Sequence, residues 1–203
     1  MPDVMLNKAS IPTGLFTGTV LSPVLGAYLE VNHLKQIYRQ GWLRRGIAAE
    51  RCESVAEHSF AVALLSLLIV DAHLPALDRD KIVRMALVHD LGEVYAGDLT
   101  PHDGVSVEDK HQREAQSICQ ISDKLPHGAD YVTLWREYEE QVTREARLVR
   151  QVDRLEMGLQ ALVYERQGLA DLHEFFDTVD RALSIPELCD IWTEVKHLEK
   201  EVE

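Results

Sequence analysis

Apolar residues recur at helical intervals along most of this chain. From Val24 onward, Leu25, Tyr28, Leu29, Leu34, Ile37 and Tyr38 fall mostly on one face, which predicts a helix that stops at Gly41. Ser54-Val55-Ala56-Glu57 reads as a capping box, with the serine oxygen and the glutamate three residues on satisfying early backbone N–H groups. It opens an apolar helix to about His73, ended by Leu74-Pro75-Ala76-Leu77. Asp78 caps the next helix. The run Ile82, Val83, Met85, Ala86, Leu87 and Val88 predicts its deep burial, with an end near Leu91-Gly92. A loop rich in turn residues covers 95–104. Further helices are expected over 107–123, 128–140, 143–167 (Thr143 as cap, Gly168 as stop), 171–182 and 186–200. No alternating strand pattern flanked by hairpin turns stands out. The expectation is an all-α fold: one helical domain of seven or more helices over 24–203. It follows an irregular arm, 1–23, that holds three prolines and two glycines.

Composition narrows the partners. The 203 residues suffice for one domain with a substantial core. The net charge of −13 argues against a nucleic-acid polymer, which needs clustered Lys and Arg. A small phosphorylated substrate stays open, because an ion and one or two arginines can supply local positive charge. Cys52, Cys119 and Cys189 are odd in number and lack C-x-x-C spacing, which fits a reducing cytoplasm. No basic segment with a long apolar run opens the chain, so no signal peptide is expected. Ala61–Val70 is too short to span a bilayer and reads as a buried helix, so no membrane partner is expected.

Candidate chemistry sits beside these apolar stretches. His58 lies on the first turn of the capped helix, His89-Asp90 at the end of the next, and Asp153 inside the helix that starts at Thr143. A buried carboxylate needs a partner, since burying it uncompensated costs several kcal/mol. One divalent cation bound by two imidazoles and two carboxylates would satisfy all four groups. Adjacent helical residues point about 100° apart, so His89 and Asp90 can share an ion only at their common edge, which is easier where a helix opens. A mixed nitrogen and oxygen set suits Mn, Co, Fe, Ni or Mg with waters in the open positions, unlike a closed structural zinc site. Open positions suit hydrolysis, because water on such an ion acidifies into a nucleophile. Glu93 returns to the same face if the helix continues, in reach as an acid or base. Asp98 follows in the glycine-bearing loop.

His58, then His89-Asp90 31 residues later, then Asp153, resembles the H…HD…D pattern of the HD-domain metal-dependent phosphohydrolase superfamily. Glu57-His58-Ser59, His89-Asp90-Leu91-Gly92-Glu93 and Gly97-Asp98-Leu99-Thr100-Pro101 resemble its 5′-deoxynucleotidase-like branch, over roughly residues 28 to 170. The resemblance implies an HD-type helical bundle. It implies His58, His89, Asp90 and Asp153 as ligands of one divalent ion (Co, Mn, Fe, Ni, Mg or Zn). It implies Glu93 as the acid/base residue, Asp98 as a second acidic active-site residue, and a homodimer. Upstream, Gly41-Trp42-Leu43-Arg44-Arg45-Gly46-Ile47 resembles the family's Trp-then-Arg segment, which implies Arg45 at the phosphate and Trp42 at the sugar. Arg39 is a second candidate for the phosphate. The 15 residues between Trp42 and His58 are about two more than the family pattern has.

Plainer readings exist for each residue. His58 alone could be a satisfied core histidine. Asp90 could cap a turn, Asp153 could pair with Arg150 or Arg154, Glu93 could be an ordinary helix-end carboxylate, and Asp98 suits a Gly-Asp turn. The expected function is hydrolysis of the 5′-phosphate of a (deoxy)nucleoside monophosphate by water activated on the ion. The rivals are hydrolysis of a triphosphate, alarmone or cyclic nucleotide, and a non-catalytic, metal-stabilised nucleotide-binding scaffold.

Overall fold

The computed structural model describes residues 6–200. Among them are ten α-helices: α1 Pro23–Val31, α2 Gln40–Arg44, α3 Val55–His73, α4 Arg79–Val88, α5 Glu93–Ala96, α6 Val107–Ser122, α7 Gly128–Glu140, α8 Arg144–Arg166, α9 His173–Ala182 and α10 Pro186–Lys200. No strand is present among the described residues, only two isolated bridges. Several helix starts follow from their caps. Ser54 N donates to Glu57 Oε2 at 2.6 Å while Glu57 N donates to Ser54 Oγ at 3.3 Å, the reciprocal box that the sequence predicts. Asp78, Ser106 and Thr143 accept from the backbone N–H groups of Lys81, Asp109 and Ala146.

One expected helix is broken. α1 ends at Val31, a 3₁₀ turn follows over Asn32–Lys35, and the chain then extends before α2. Ile37 bridges Asn7 and Tyr38 bridges Ser54, with Val55 N donating to the Ile37 carbonyl and Arg39 N to that of Glu53. Ile37 and Tyr38 are apolar because this extended piece is threaded between two distant segments, not because they share a helix face. Part of the N-terminal arm belongs to the same pairing. Gln40 Nε2 donates to the Leu6 carbonyl, and Lys8 N to that of Gln36. Residues 1–5 of the arm lie outside the described residues.

The chain forms two compact units, Met1–Ser59 with Leu87–Arg136, and Phe60–Ala86 with Glu137–Glu203. In the first, α5 and α6 pack together and α1 lies on α6. Gly92 lets α6 approach closely: a Cβ there would lie 2.6 Å from Glu114 Cβ and 3.0 Å from its Cα. His33 Nδ1 donates to the Val94 carbonyl (2.7 Å) and Tyr95 N to Ser117 Oγ (3.2 Å), which fixes α5 on both sides. In the second unit α8 is central, burying Leu148, Val149, Val152, Leu155 and Ala161, with α9 and α10 packed on it. Gly158 lets Val179 and Trp192 approach its backbone.

By length and composition α3 could cross a membrane, although the run Ala61–Val70 alone is too short. In this fold Val62, Ser66, Ile69 and Val70 on it are buried, while Phe60, Leu64 and Leu68 are exposed.

Candidate metal and phosphate site

The capping box at Ser54 sets the first turn of α3, which buries His58. α4 stops at Val88, so His89–Gly92 form a turn closed by Leu91 N to Val88 O and Glu93 N to Asp90 O. The helix therefore does not continue to Glu93, the condition under which spacing alone would return that residue to the face of His89 and Asp90. The turn itself presents His89 and Asp90 together and starts α5 at Glu93. His89 Nε2 lies 3.1 Å and His58 Nε2 3.8 Å from Asp90 Oδ2. One ligand atom from each of the three residues lies within 4.8 Å of the others. Two imidazole nitrogens and a carboxylate oxygen converging in this way fit a divalent first-row ion. Burial works against ionising Asp90, but the charges of His89, His58 and Arg39 overcome it and hold its carboxyl well below the ordinary range.

Glu93 is buried, and its Oε2 has no hydrogen-bond partner among the described residues. Burial first, then the Asp90 and Asp98 carboxylates, hold its carboxyl well above the ordinary range, against the pull of Arg39 and Lys110. A carboxyl whose pKa is raised in this way is suited to holding and donating a proton.

Asp98 follows Gly97, whose φ of 78° favours glycine at the turn into the loop. Its two oxygens cap α2: Oδ2 accepts the Gln40 N–H at 2.6 Å and Oδ1 accepts Arg39 Nη1 at 3.2 Å. Arg39 occupies the N-cap position of α2 and supplies no side-chain cap, so Asp98 satisfies that helix start from across the fold. Burial opposes the charge of Arg39, yet Asp98, Asp90, Glu93 and Glu53 together hold its pKa well above the ordinary value.

Trp42 is buried, its indole N–H donating to Glu53 Oε1 at 2.7 Å, so it braces α2 from within. Arg45 is exposed at the C-cap of α2. Asp153 belongs to the second unit, where it is buried on α8 and accepts from the Tyr138 hydroxyl at 3.1 Å. That hydroxyl in turn accepts from Arg150 at 3.0 Å.

Sequence reasoning passed over two groups near the acids. Lys110, on α6, donates to the Leu99 carbonyl at 2.8 Å. Asp103 pairs with Arg44 and closes a capping box with Thr100, pinning the loop 97–104 to α2. The Lys110–Glu114 spacing at i, i+4 was visible in the sequence; the fold that carries it to Leu99 was not.

Residues 31–188 match the HD domain family, and the chain belongs to it. Human 5′-deoxynucleotidase HDDC2 is 35% identical over 192 residues, 93% of this chain and 92% of that protein. The Dictyostelium discoideum 5′-deoxynucleotidase HDDC2 is 40% identical over 157 residues, 71% of this chain and 82% of that protein. Among solved structures, the PH0347 protein of Pyrococcus horikoshii OT3 superposes with a TM-score of 0.73 at 33% identity, covering 86% of this chain and 99% of that one. A predicted metal-dependent phosphohydrolase from Magnetospirillum magnetotacticum MS-1 gives 0.69 at 26% identity, covering 94% and 96%.

Proposed function

We propose that this chain is a metal-dependent phosphohydrolase that removes the 5′-phosphate of (deoxy)nucleoside monophosphates. The observation that carries the reading is the convergence of His58, His89 and Asp90 beside a buried Glu93 whose carboxyl is held well above the ordinary range, and a half-buried Arg39. Relatives named 5′-deoxynucleotidases support the substrate class. A divalent ion, when bound, supplies Lewis-acid polarisation of a phosphoryl oxygen and lowers the pKa of water. His58, His89 and Asp90 would hold it, with Asp153 as the fourth ligand that the family pattern implies. The nitrogen and oxygen donors suit Co, Mn, Fe, Ni, Mg or Zn.

Water attacks phosphorus as the P–O5′ bond breaks; Glu93 gives its proton to the departing 5′-oxygen and takes one back from the attacking water. Arg39 offsets the charge of the phosphate, and Asp98 orients Arg39 by holding both its guanidinium and the start of α2. We prefer Arg39 to Arg45 for this role because Asp90, Glu93 and Asp98 all act on its charge. Trp42 supports the sugar side indirectly, by fixing α2 from the core.

The test is release of inorganic phosphate from a panel of nucleoside monophosphates, triphosphates and cyclic nucleotides by metal-loaded protein. Preference for monophosphates supports the reading, and release from none sinks it. Two further proposals accompany it. The free state of Cys52, Cys119 and Cys189 supports a reducing, cytoplasmic location. The exposed Phe60, Leu64 and Leu68, on one face of α3, support a homodimer.

A further inference from the structure

A second cation, on α6, feels the charge of the same acids. Lys110 Nζ donates to the Leu99 carbonyl at 2.8 Å and lies 3.5 Å from Glu114 Oε1. Burial disfavours its charge, but Glu114 first, and then Glu93, Asp98 and Asp90, raise its pKa above the ordinary lysine value. The ammonium is therefore charged throughout the neutral range.

Its position is rigid for a reason that lies in the backbone. Glu114 is pressed onto Gly92, the turn residue between Asp90 and Glu93, with no room for a Cβ. Lys110 stands one helical turn before Glu114 on the same face. The packing that fixes Asp90 and Glu93 thus also fixes the root of the lysine. An ammonium has three protons. The Leu99 carbonyl takes one of them, Glu114 pairs with the ammonium at 3.5 Å, and the side chain keeps 37% of its exposure. A phosphate monoester brings roughly two negative charges near neutral pH. Arg39 alone meets that demand poorly, since Asp98 already engages its guanidinium.

We propose that Lys110 is a substrate-binding residue, its ammonium held by Leu99 and Glu114 so that a further proton goes to the phosphate of the nucleotide. This rests on the phosphomonoesterase reading above. The alternative is a latch that merely fastens the loop after Asp98 to α6.

The experiment compares full-length, metal-loaded wild type with K110M, K110Q and K110R. It measures phosphate release from a deoxynucleoside monophosphate, inhibition by inorganic phosphate, inhibition by the matching unphosphorylated nucleoside, and thermal stability. The expected result for K110M and K110Q is a KM and a phosphate Ki both raised roughly tenfold or more, the scale of one charge-assisted hydrogen bond. Nucleoside Ki and Tm should stay near wild type, and K110R should recover most of the loss. A fall in kcat or Tm with an unchanged phosphate Ki would show a latch and overturn the proposal. K110Q keeps a polar donor, so it decides the matter if K110M folds poorly. If wild type hydrolyses nothing, the phosphomonoesterase reading fails separately. Direct binding of inorganic phosphate to wild type and K110M then tests the lysine, and equal affinities overturn its role.

Discussion

Glu93 shows what a single residue owes to its surroundings. Its carboxyl is held well above the ordinary range because it is buried and because Asp90 and Asp98 repel a further negative charge. Glu93→Gln keeps the size and removes the transferable proton. We expect kcat to fall by about 10²–10⁴, the usual worth of general acid–base catalysis, with the metal content unchanged by elemental analysis. Normal activity in a metal-replete Glu93→Gln protein would remove it from the mechanism. The two arginines separate in the same assay. Arg39→Gln should raise KM for the nucleotide roughly tenfold or more, by loss of a charge-assisted contact, while Arg45→Gln on the exposed cap of α2 should change it little. The reverse outcome would restore Arg45 as the phosphate residue.

At the scale of elements, the loop 97–104 is held on α2 by Arg44 and Asp103, and Thr100 completes the box. Burial pushes the Asp103 carboxyl up, but the Thr100 hydroxyl and N–H and the Arg44 charge pull it below the ordinary value. A depressed folded-state pKa means that the stabilisation is complete above the unfolded-state value and is lost as pH falls through the folded-state one. Asp103→Asn should therefore cost about 1 kcal/mol at neutral pH, and the gap should close in acid, read from urea melts across pH. A gap independent of pH would show that the carboxylate charge is immaterial.

The same scale explains what the chain's pattern could reveal. α3, α4 and α6 to α10 were legible because their caps and apolar faces are local. The break between Val31 and Gln40 was not, because Ile37 and Tyr38 are held extended by Asn7 and Ser54, partners that helical periodicity cannot see. The site divides along the same line. His58 and His89-Asp90 stood out as helix-end words beside apolar runs. The Arg39–Asp98 pair and the Lys110–Leu99 contact join segments that only folding brings together.

At the scale of the whole molecule, an acidic chain with net charge −13 that gathers Asp90, Glu93 and Asp98 near one another carries an electrostatic cost that a bound cation relieves. A ligand that binds only the folded state stabilises it by mass action, by about 2.7 kcal/mol at a hundredfold excess over Kd. Removing the ion by chelation should therefore lower Tm, and adding Mn or Co back should restore it in proportion to the logarithm of its concentration. His58→Ala, His89→Ala and Asp90→Asn should each abolish that metal-dependent rise, and Asp153→Asn tests the fourth ligand by the same readout. A metal response that survives in the His89→Ala and Asp90→Asn proteins would place the ion elsewhere.

Assembly is the last property of the whole molecule that the surface speaks to. Phe60, Leu64 and Leu68 recur every four residues on α3 and are 64%, 44% and 58% exposed, so the helix presents a continuous apolar stripe to water. Monomers rarely leave such stripes uncovered, and a second copy is the simplest cover. Light scattering coupled to gel filtration should give twice the 23.0 kDa chain mass for wild type. Leu64→Glu, which places a charge in the middle of the stripe, should give the single-chain mass while leaving helicity intact, because that side chain lies outside the core. A wild-type mass of one chain at micromolar concentration would refute the dimer. A dimer that persists in Leu64→Glu would move its interface to another surface.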